Sequence, residues 1–287
     1  MRIITGVAAL RDALREPRRA GKRIGFVPTM GALHEGHLAL VDASRAASDV
    51  TVMSIFVNPL QFGPSEDLAK YPRDADGDAR QAKARGVDII FMPSAEEMYP
   101  SGREMTVLPG ATAQRWEGAA RPGHFAGVLT VVAKLFNIVM PDVAVFGQKD
   151  FQQAALVRAL IRDLNVPLEL IVHPIVREPD GLALSSRNRY LDAADRKRAL
   201  GLSRALRAIR AHHGKGERRA EPLIASGTAE IERENLSADY LAVVDAETLA
   251  PKSEVARGDA VIVAARVGIT RLIDNTVLGA DDPGLEK

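Results

Sequence analysis

Gly25-Phe-Val-Pro-Thr-Met-Gly-Ala-Leu-His-Glu-Gly-His37 runs from an apolar stretch through a glycine-bearing turn into a segment of helical spacing. A strand that ends in a tight turn and opens a helix is the phosphate-binding end of a doubly wound α/β fold. The turn presents free backbone N–H groups and the positive helix end to an anion. Gly31 and Gly36 let a nucleotide approach the main chain closely. No Gly-Lys-Ser/Thr follows, so this is not a Walker loop, and the Gly-x-Gly-x-x-Gly of dinucleotide enzymes is missing. Histidines stand there instead. His34 and His37 are three apart, so at a helix start both can face one phosphate group and donate to the charge that grows on it. Zinc is the competing reading, because His-Glu-x-x-His marks a metalloprotease helix. His34-Glu-Gly-His37 has one residue too few between its histidines, and a glycine inside the pair suits backbone approach better than metal ligation.

Outward from this turn, residues 23–173 alternate short apolar runs with longer amphipathic stretches, the pattern of a parallel sheet with crossover helices. The strand candidates are Ile24–Pro28, Val50–Val57, Val87–Met92, Val143–Gly147 and Leu168–His173. Helices are expected at Gly36–Ala47, Asp74–Arg85, Phe125–Met140 and Phe151–Leu164. Phe125, Val128, Leu129, Val132, Leu135, Phe136 and Val139 recur at helical spacing ahead of the stop at Pro141, and a stripe this wide covers a sheet. After Pro174 strict alternation ends. A charged helix at Asp192–His212 and a second at Glu221–Glu234 precede strands near Tyr240–Val244, Ala260–Val267 and Arg271–Asp274, which reads as a smaller α+β domain. The polar run from His212 to Arg219 reads as a loop between the two helices, with His212 and His213 solvated. The expected division is a Rossmann-like nucleotide-binding domain at 1–174 and a smaller C-terminal lid domain at 175–287.

A chain of 287 residues affords a sizeable core, and 46% hydrophobic with 26% charged residues argues against long disorder. Lys plus Arg number 38 against 37 Asp plus Glu, so the overall charge suggests neither nucleic acid nor an anionic membrane as partner. The absence of cysteine removes disulfides, thiolate nucleophiles and thiolate metal ligands, and fits a reducing cytoplasm. Charges interrupt the first 25 residues, so no secretory centre is expected, and no apolar run approaches the ~20 residues of a membrane span.

Two further clusters carry chemistry. Val145-Phe-Gly-Gln-Lys-Asp-Phe-Gln-Gln153 again ends an apolar strand and opens a helix, placing Gly147, Gln148, Lys149 and Asp150 at the carboxyl end of the sheet, where ligands bind in open α/β sheets. Lys149 offers a point charge to phosphate, and Asp150 either accepts from a ribose hydroxyl or only caps the helix. Leu184-Ser-Ser-Arg-Asn-Arg189 brings two hydroxyls and two guanidinium groups. The segment Asn58–Pro72, with Gly63 and Pro64, reads as a lid that excludes water.

Together these motifs resemble the pantothenate synthetase family of His-x-Gly-His nucleotidyltransferases. The resemblance runs in order through Pro28–His37, Phe56-Val-Asn-Pro-Leu-Gln-Phe-Gly63, Tyr71-Pro-Arg73, His124–Val132, Phe146–Gln153, Leu184–Leu191 and Thr270-Arg-Leu-Ile-Asp-Asn275. It implies that ATP and pantoate form pantoyl-adenylate with release of pyrophosphate, and that β-alanine then displaces AMP. Met30, Gly31, Ala32, Leu33, His34, Glu35, Gly36 and His37 would hold ATP, with His34 and His37 donating to the phosphates. Gly147 to Asp150 would contact ribose and phosphate, Val176 the adenine by its main chain, and Leu184, Ser185, Ser186 and Arg187 the triphosphate. Lys149 and Arg187 would act catalytically beside the histidines. Gln61, Gln153 and Asn58 would take pantoate and β-alanine. Arg121 is a weaker candidate for an anion contact, with an exposed solvated arginine as the alternative. Mg2+ is implied by the triphosphate rather than by any carboxylate cluster, and the resemblance implies a homodimer.

Overall fold

The computed structural model describes residues 1–64, 66, 68–282, 284 and 285. It comprises two compact units, one of residues 1–147 and 156–173, the other of residues 148–155 and 174–287.

In the first unit, six parallel strands lie in the order β1-β4-β3-β2-β5-β6: β1 (Arg2–Ile4), β2 (Ile24–Thr29), β3 (Val50–Ile55), β4 (Ile89–Phe91), β5 (Val143–Gly147) and β6 (Glu169–His173). The connections from β2 through β3 to β4 step one way, while β5 and β6 lie on the other side of β2. The order therefore reverses between β2 and β5, and it is outside such a reversal that open α/β sheets bind ligands. Helices α1 (Val7–Arg19), α2 (Glu35–Ala47), α3 (Ala75–Ala84), α4 (Ala95–Met98), α5 (Glu117–Ala120) and α6 (His124–Val139) accompany these strands, as does α7 (Phe151–Asp163) from Leu156 onward. Phe125, Val128, Leu129, Val132, Leu135, Phe136 and Val139 are all buried in one cluster with Phe26, Val52 and Phe146, so the stripe read from the sequence does cover the sheet.

Pro28 lies in a strand flanked on both sides, a position that proline usually avoids for want of an N–H. The ladder from β2 to β5 reaches only Gly25 and Phe26. Pro28 stands beyond it, so the missing donor breaks no bond to β5.

In the second unit, α8 (Ala193–Arg198), α9 (Leu200–Gly214) and α10 (Ala220–Arg233) precede an antiparallel sheet of β7 (Ser237–Val244), β8 (Ala260–Val267) and β9 (Thr270–Val277). The doubly wound parallel sheet and the smaller α+β part are both as the sequence reads.

Several details differ. β1 and α1 were not expected, because three residues are too short to display alternation and α1 buries only Leu10 and Leu14 among many charges. The expected helix Asp192–His212 is two helices meeting at Ala199, where the Leu202 N–H bonds back only three residues to the Ala199 carbonyl. Nor do His212 and His213 begin a loop: α9 continues through them, and His213 is buried. The reason is helical phase, since Leu202, Leu206, Ile209 and His213 form one stripe. No helix among the described residues is long and apolar enough to cross a membrane.

Candidate active site

In the first unit, β2 delivers the turn Met30–His34 to the start of α2. Gly31 takes φ +80°, and a Cβ there would stand 2.7 Å from Asp78 Oδ2, so glycine is required on both counts. The free N–H groups expected of this turn are already engaged. Gly31 N–H donates to Thr29 Oγ1 at 3.2 Å, and the N–H groups of Ala32 and Leu33 donate to the Asp78 carboxylate at 2.9 and 2.8 Å. Asp78, on α3, is only 3% exposed, so a protein carboxylate occupies the turn's donors. The turn is thus a preset support for His34 and His37.

His34 is the N-cap of α2, its Nδ1 accepting from Gly36 N–H at 3.2 Å. An accepting Nδ1 assigns the neutral ring's proton to Nε2, which makes that atom a donor. The His37 ring stacks on it at 4.1 Å between centroids, tilted 32°. Glu35 is exposed and pairs with Arg85, which also holds Asp42.

A second cluster surrounds the short turn Pro59–Gln61. Asn58 and Gln61 are buried, and the Asn58 amide donates to Gln61 Oε1 at 3.0 Å and to the Gly127 carbonyl at 3.2 Å. Tyr99 Oη–H donates to Asn58 Oδ1 at 2.7 Å. Gln61 Nε2 donates to Met30 Sδ at 3.2 Å, which joins the two clusters. The Gln61 carbonyl accepts from His124 Nδ1 at 2.9 Å, and Arg121 stands 3.0 Å from His124 Nε2. Arg121 is not an open anion contact, for it forms a two-pronged pair with Glu66 at 2.7 and 2.8 Å. Burial alone would raise the Glu66 carboxyl, but the hydrogen bonds and charge of Arg121 outweigh it and hold the group below the usual glutamate range. Of the segment Asn58–Pro72, which the sequence reads as a lid, Ser65 and Asp67 lie outside the described residues.

In the second unit, Gln148–Asp150 leads into α7, whose third residue is Gln153. Lys149 and Ser185 line one small cavity together with Ala183, Asn188 and Asp274, so the second and third motifs of the sequence do meet within this unit. Ser185 Oγ accepts from Arg187 N–H at 3.2 Å and caps the turn Ser186–Tyr190. The Val176 carbonyl accepts from Leu184 N–H at 3.0 Å, and a carbonyl's second lone pair stays available beyond that bond. Among the described residues no group of three or more His, Asp or Glu is arranged to hold a metal ion.

Sequence reading gave no role to Asp78, Tyr99, Glu66 or His124, although His124 opens one of its motifs. Asp78 left a trace, since it shares the inward face of α3 with buried Ala82, where a charge needs partners. Tyr99 and Glu66 left none, because their partners are 41 and 55 residues away.

The family model described as pantoate-beta-alanine ligase matches residues 2–277. Pantothenate synthetase 1 of Bradyrhizobium diazoefficiens is 57% identical, covering 97% of this chain and 98% of its own. Pantothenate synthetase of Acidobacterium capsulatum is 53% identical, with 97% of each chain covered. Among solved structures, pantothenate synthetase from Thermus thermophilus superposes with a TM-score of 0.92 at 48% identity, covering 96% of this chain and 99% of that one. Pantoate-beta-alanine ligase from Francisella tularensis, solved with beta-gamma ATP and beta-alanine, gives 0.79 at 33% identity, with 98% and 99% covered.

Proposed function

The chain belongs to the pantoate–β-alanine ligase family, and from that membership we propose that it condenses (R)-pantoate with β-alanine through a pantoyl-adenylate. In the first step a pantoate carboxylate oxygen attacks the α-phosphorus of ATP and pyrophosphate leaves. In the second the β-alanine amine attacks the acyl carbon, AMP leaves with the electron pair of the broken C–O bond, and the amine gives up its proton. The Francisella tularensis relative was solved with beta-gamma ATP and beta-alanine, which supports ATP as a substrate of this chain as well.

The observation that carries the reading is the bond from Gln61 Nε2 to Met30 Sδ. It sets the amide assigned to pantoate beside the turn assigned to ATP, as attack of a carboxylate on the α-phosphorus of a phosphoanhydride requires. His34 donates from Nε2 and His37 joins it as charge develops on the leaving pyrophosphate. Lys149 and Arg187 neutralise phosphate oxygens, and Gln148, Asp150, Val176, Leu184, Ser185 and Ser186 complete the nucleotide contacts. Gln61 and Gln153 take the pantoate hydroxyls and carboxylate, while Asn58 holds Gln61. Mg2+ fits as an ion carried by the triphosphate and water, because the described residues offer phosphate donors rather than a carboxylate cage. No residue of the chain is assigned to it. The division at 174/175, a homodimeric assembly and a cytoplasmic setting belong to the same proposal.

Mass spectrometry of products after mixing the protein with MgATP, pantoate and β-alanine tests it. Pantothenate, AMP and pyrophosphate in equal amounts are expected. ADP as the nucleotide product, or no pantothenate at all, would refute the proposal.

A further inference from the structure

The motif Thr270-Arg-Leu-Ile-Asp-Asn275 contains no residue assigned to a substrate, yet it ends on a side chain that grips the turn before α7. Asn275, 1% exposed, donates from Nδ2 to the carbonyls of Gln148 and Lys149, each at 3.0 Å. Its Oδ1 accepts from Gln148 Nε2 at 3.2 Å. The strand beneath it is itself held. Arg177 donates to Asp274 Oδ2 at 2.7 Å and Oδ1 at 3.0 Å, and to the Asn275 carbonyl at 3.3 Å. Asn275 N–H closes the set by donating to Asp274 Oδ1 at 2.7 Å.

We infer that Asn275 is the positioning residue for Lys149, an inference that rests on the reading of Lys149 as a phosphate contact. A lysine carries its charge on a flexible four-carbon stem, so the protein presets only the place and direction from which that stem departs. Fixing two consecutive carbonyls fixes the two peptide planes around the Lys149 Cα, and hence the line along which Cβ leaves. Asparagine suits the task because one amide group donates twice and accepts once. Aspartate would keep the shape and the acceptor but turn a negative oxygen towards two carbonyls. The anchor lies on the Arg177–Asp274 pair, whose side chains are 1% and 2% exposed, so the grip is set before any nucleotide arrives. This gives the motif at the end of the chain a task in the reaction without contact with a substrate.

The test is a kinetic double-mutant cycle in the full-length protein, with pantothenate formation followed for wild type, Asn275→Ala, Lys149→Ala and the double variant, and with cooperative melting checked for each. Misplacing a reacting or charge-bearing group by ~1 Å costs up to ~10²-fold in rate. Asn275→Ala is therefore expected to lower kcat ~10- to 100-fold while the KM for pantoate stays within ~2-fold. In the Lys149→Ala background the same change should cost less than ~3-fold, because no ammonium remains to misplace. Asn275→Asp should match the alanine variant. If Asn275→Ala does not fold, Asn275→Ser, whose hydroxyl is too short to reach both carbonyls, runs the same cycle. An equal factor in both backgrounds, or wild-type kinetics in Asn275→Ala, overturns the role of Asn275 alone. A wild-type protein that makes no pantothenate overturns the functional reading and this inference with it.

Discussion

His37 shares a helix turn with His34, whose tautomer is set by the cap bond to Gly36 N–H. In the proposed reaction the two imidazoles stacked at the start of α2 would donate to the negative charge that accumulates as pyrophosphate leaves, and a preorganised donor acts mainly on the transition state. His37→Ala should lower kcat by ~10²–10³ while the KM for ATP changes far less. Steady-state kinetics with ATP varied reads both, and a near-normal kcat would remove His37 from the chemistry. Asp78 shows the same economy at one remove. By taking the N–H groups of Ala32 and Leu33 it commits the turn to one shape before any ligand arrives. The two histidines stood out in the sequence because their type and spacing are chemical in themselves. Asp78 was not, because its meaning lies in which backbone it meets.

At the scale of elements, α6 and the turn Pro59–Gln61 approach so closely that a Cβ on Gly127 would stand 2.0 Å from the Leu60 carbonyl oxygen. Backbone atoms cannot swing aside as a side-chain tip can. Gly127→Ala should push the turn away from α6, break the Asn58 bond to the Gly127 carbonyl and cost ~1–3 kcal/mol of stability. It should also raise the KM for pantoate well above that for ATP; an unchanged KM for pantoate would detach Gln61 from that substrate. α9 offers a second element-level test. Burial, followed by the charges of Arg218 and Arg210, pushes the His213 pKa below the ordinary 6.5, with Asp259 opposing. The folded state therefore binds that proton less readily than the unfolded chain. The stability owed to neutral His213 is complete above about pH 6.5 and is lost as pH falls from there towards the folded value. Melting temperatures compared at about pH 7.5 and 5.5 should fall more steeply in wild type than in His213→Gln. Parallel slopes would show that the buried ring does not titrate on unfolding.

Across the whole molecule, the proposed reaction needs an activated carboxyl carried by AMP, since there is no cysteine and neither Ser185 nor Ser186 stands in a nucleophile elbow. With MgATP, pantoate and labelled pyrophosphate, and β-alanine left out, label should enter ATP, and only when pantoate is present. Pantothenate synthesis without such exchange would remove the adenylate intermediate. The sequence by itself determined the class of fold, the strand-to-helix turn within Gly25–His37 and the other two motif clusters, because strand and helix periods and the demand of phosphate for glycines, histidines and cations are local. It left open what long-range pairing decides. The tie of Met30 to Gln61, the carboxylate of Asp78 under the turn, the Glu66–Arg121 pair and the grip of Asn275 on Gln148 and Lys149 join residues 31 to 127 positions apart. Only folding brings such groups together. A lone aspartate or asparagine in a sequence is silent until the backbone it must satisfy is in place, since an unpaired buried polar group is costly and a paired one has chosen its partner in space.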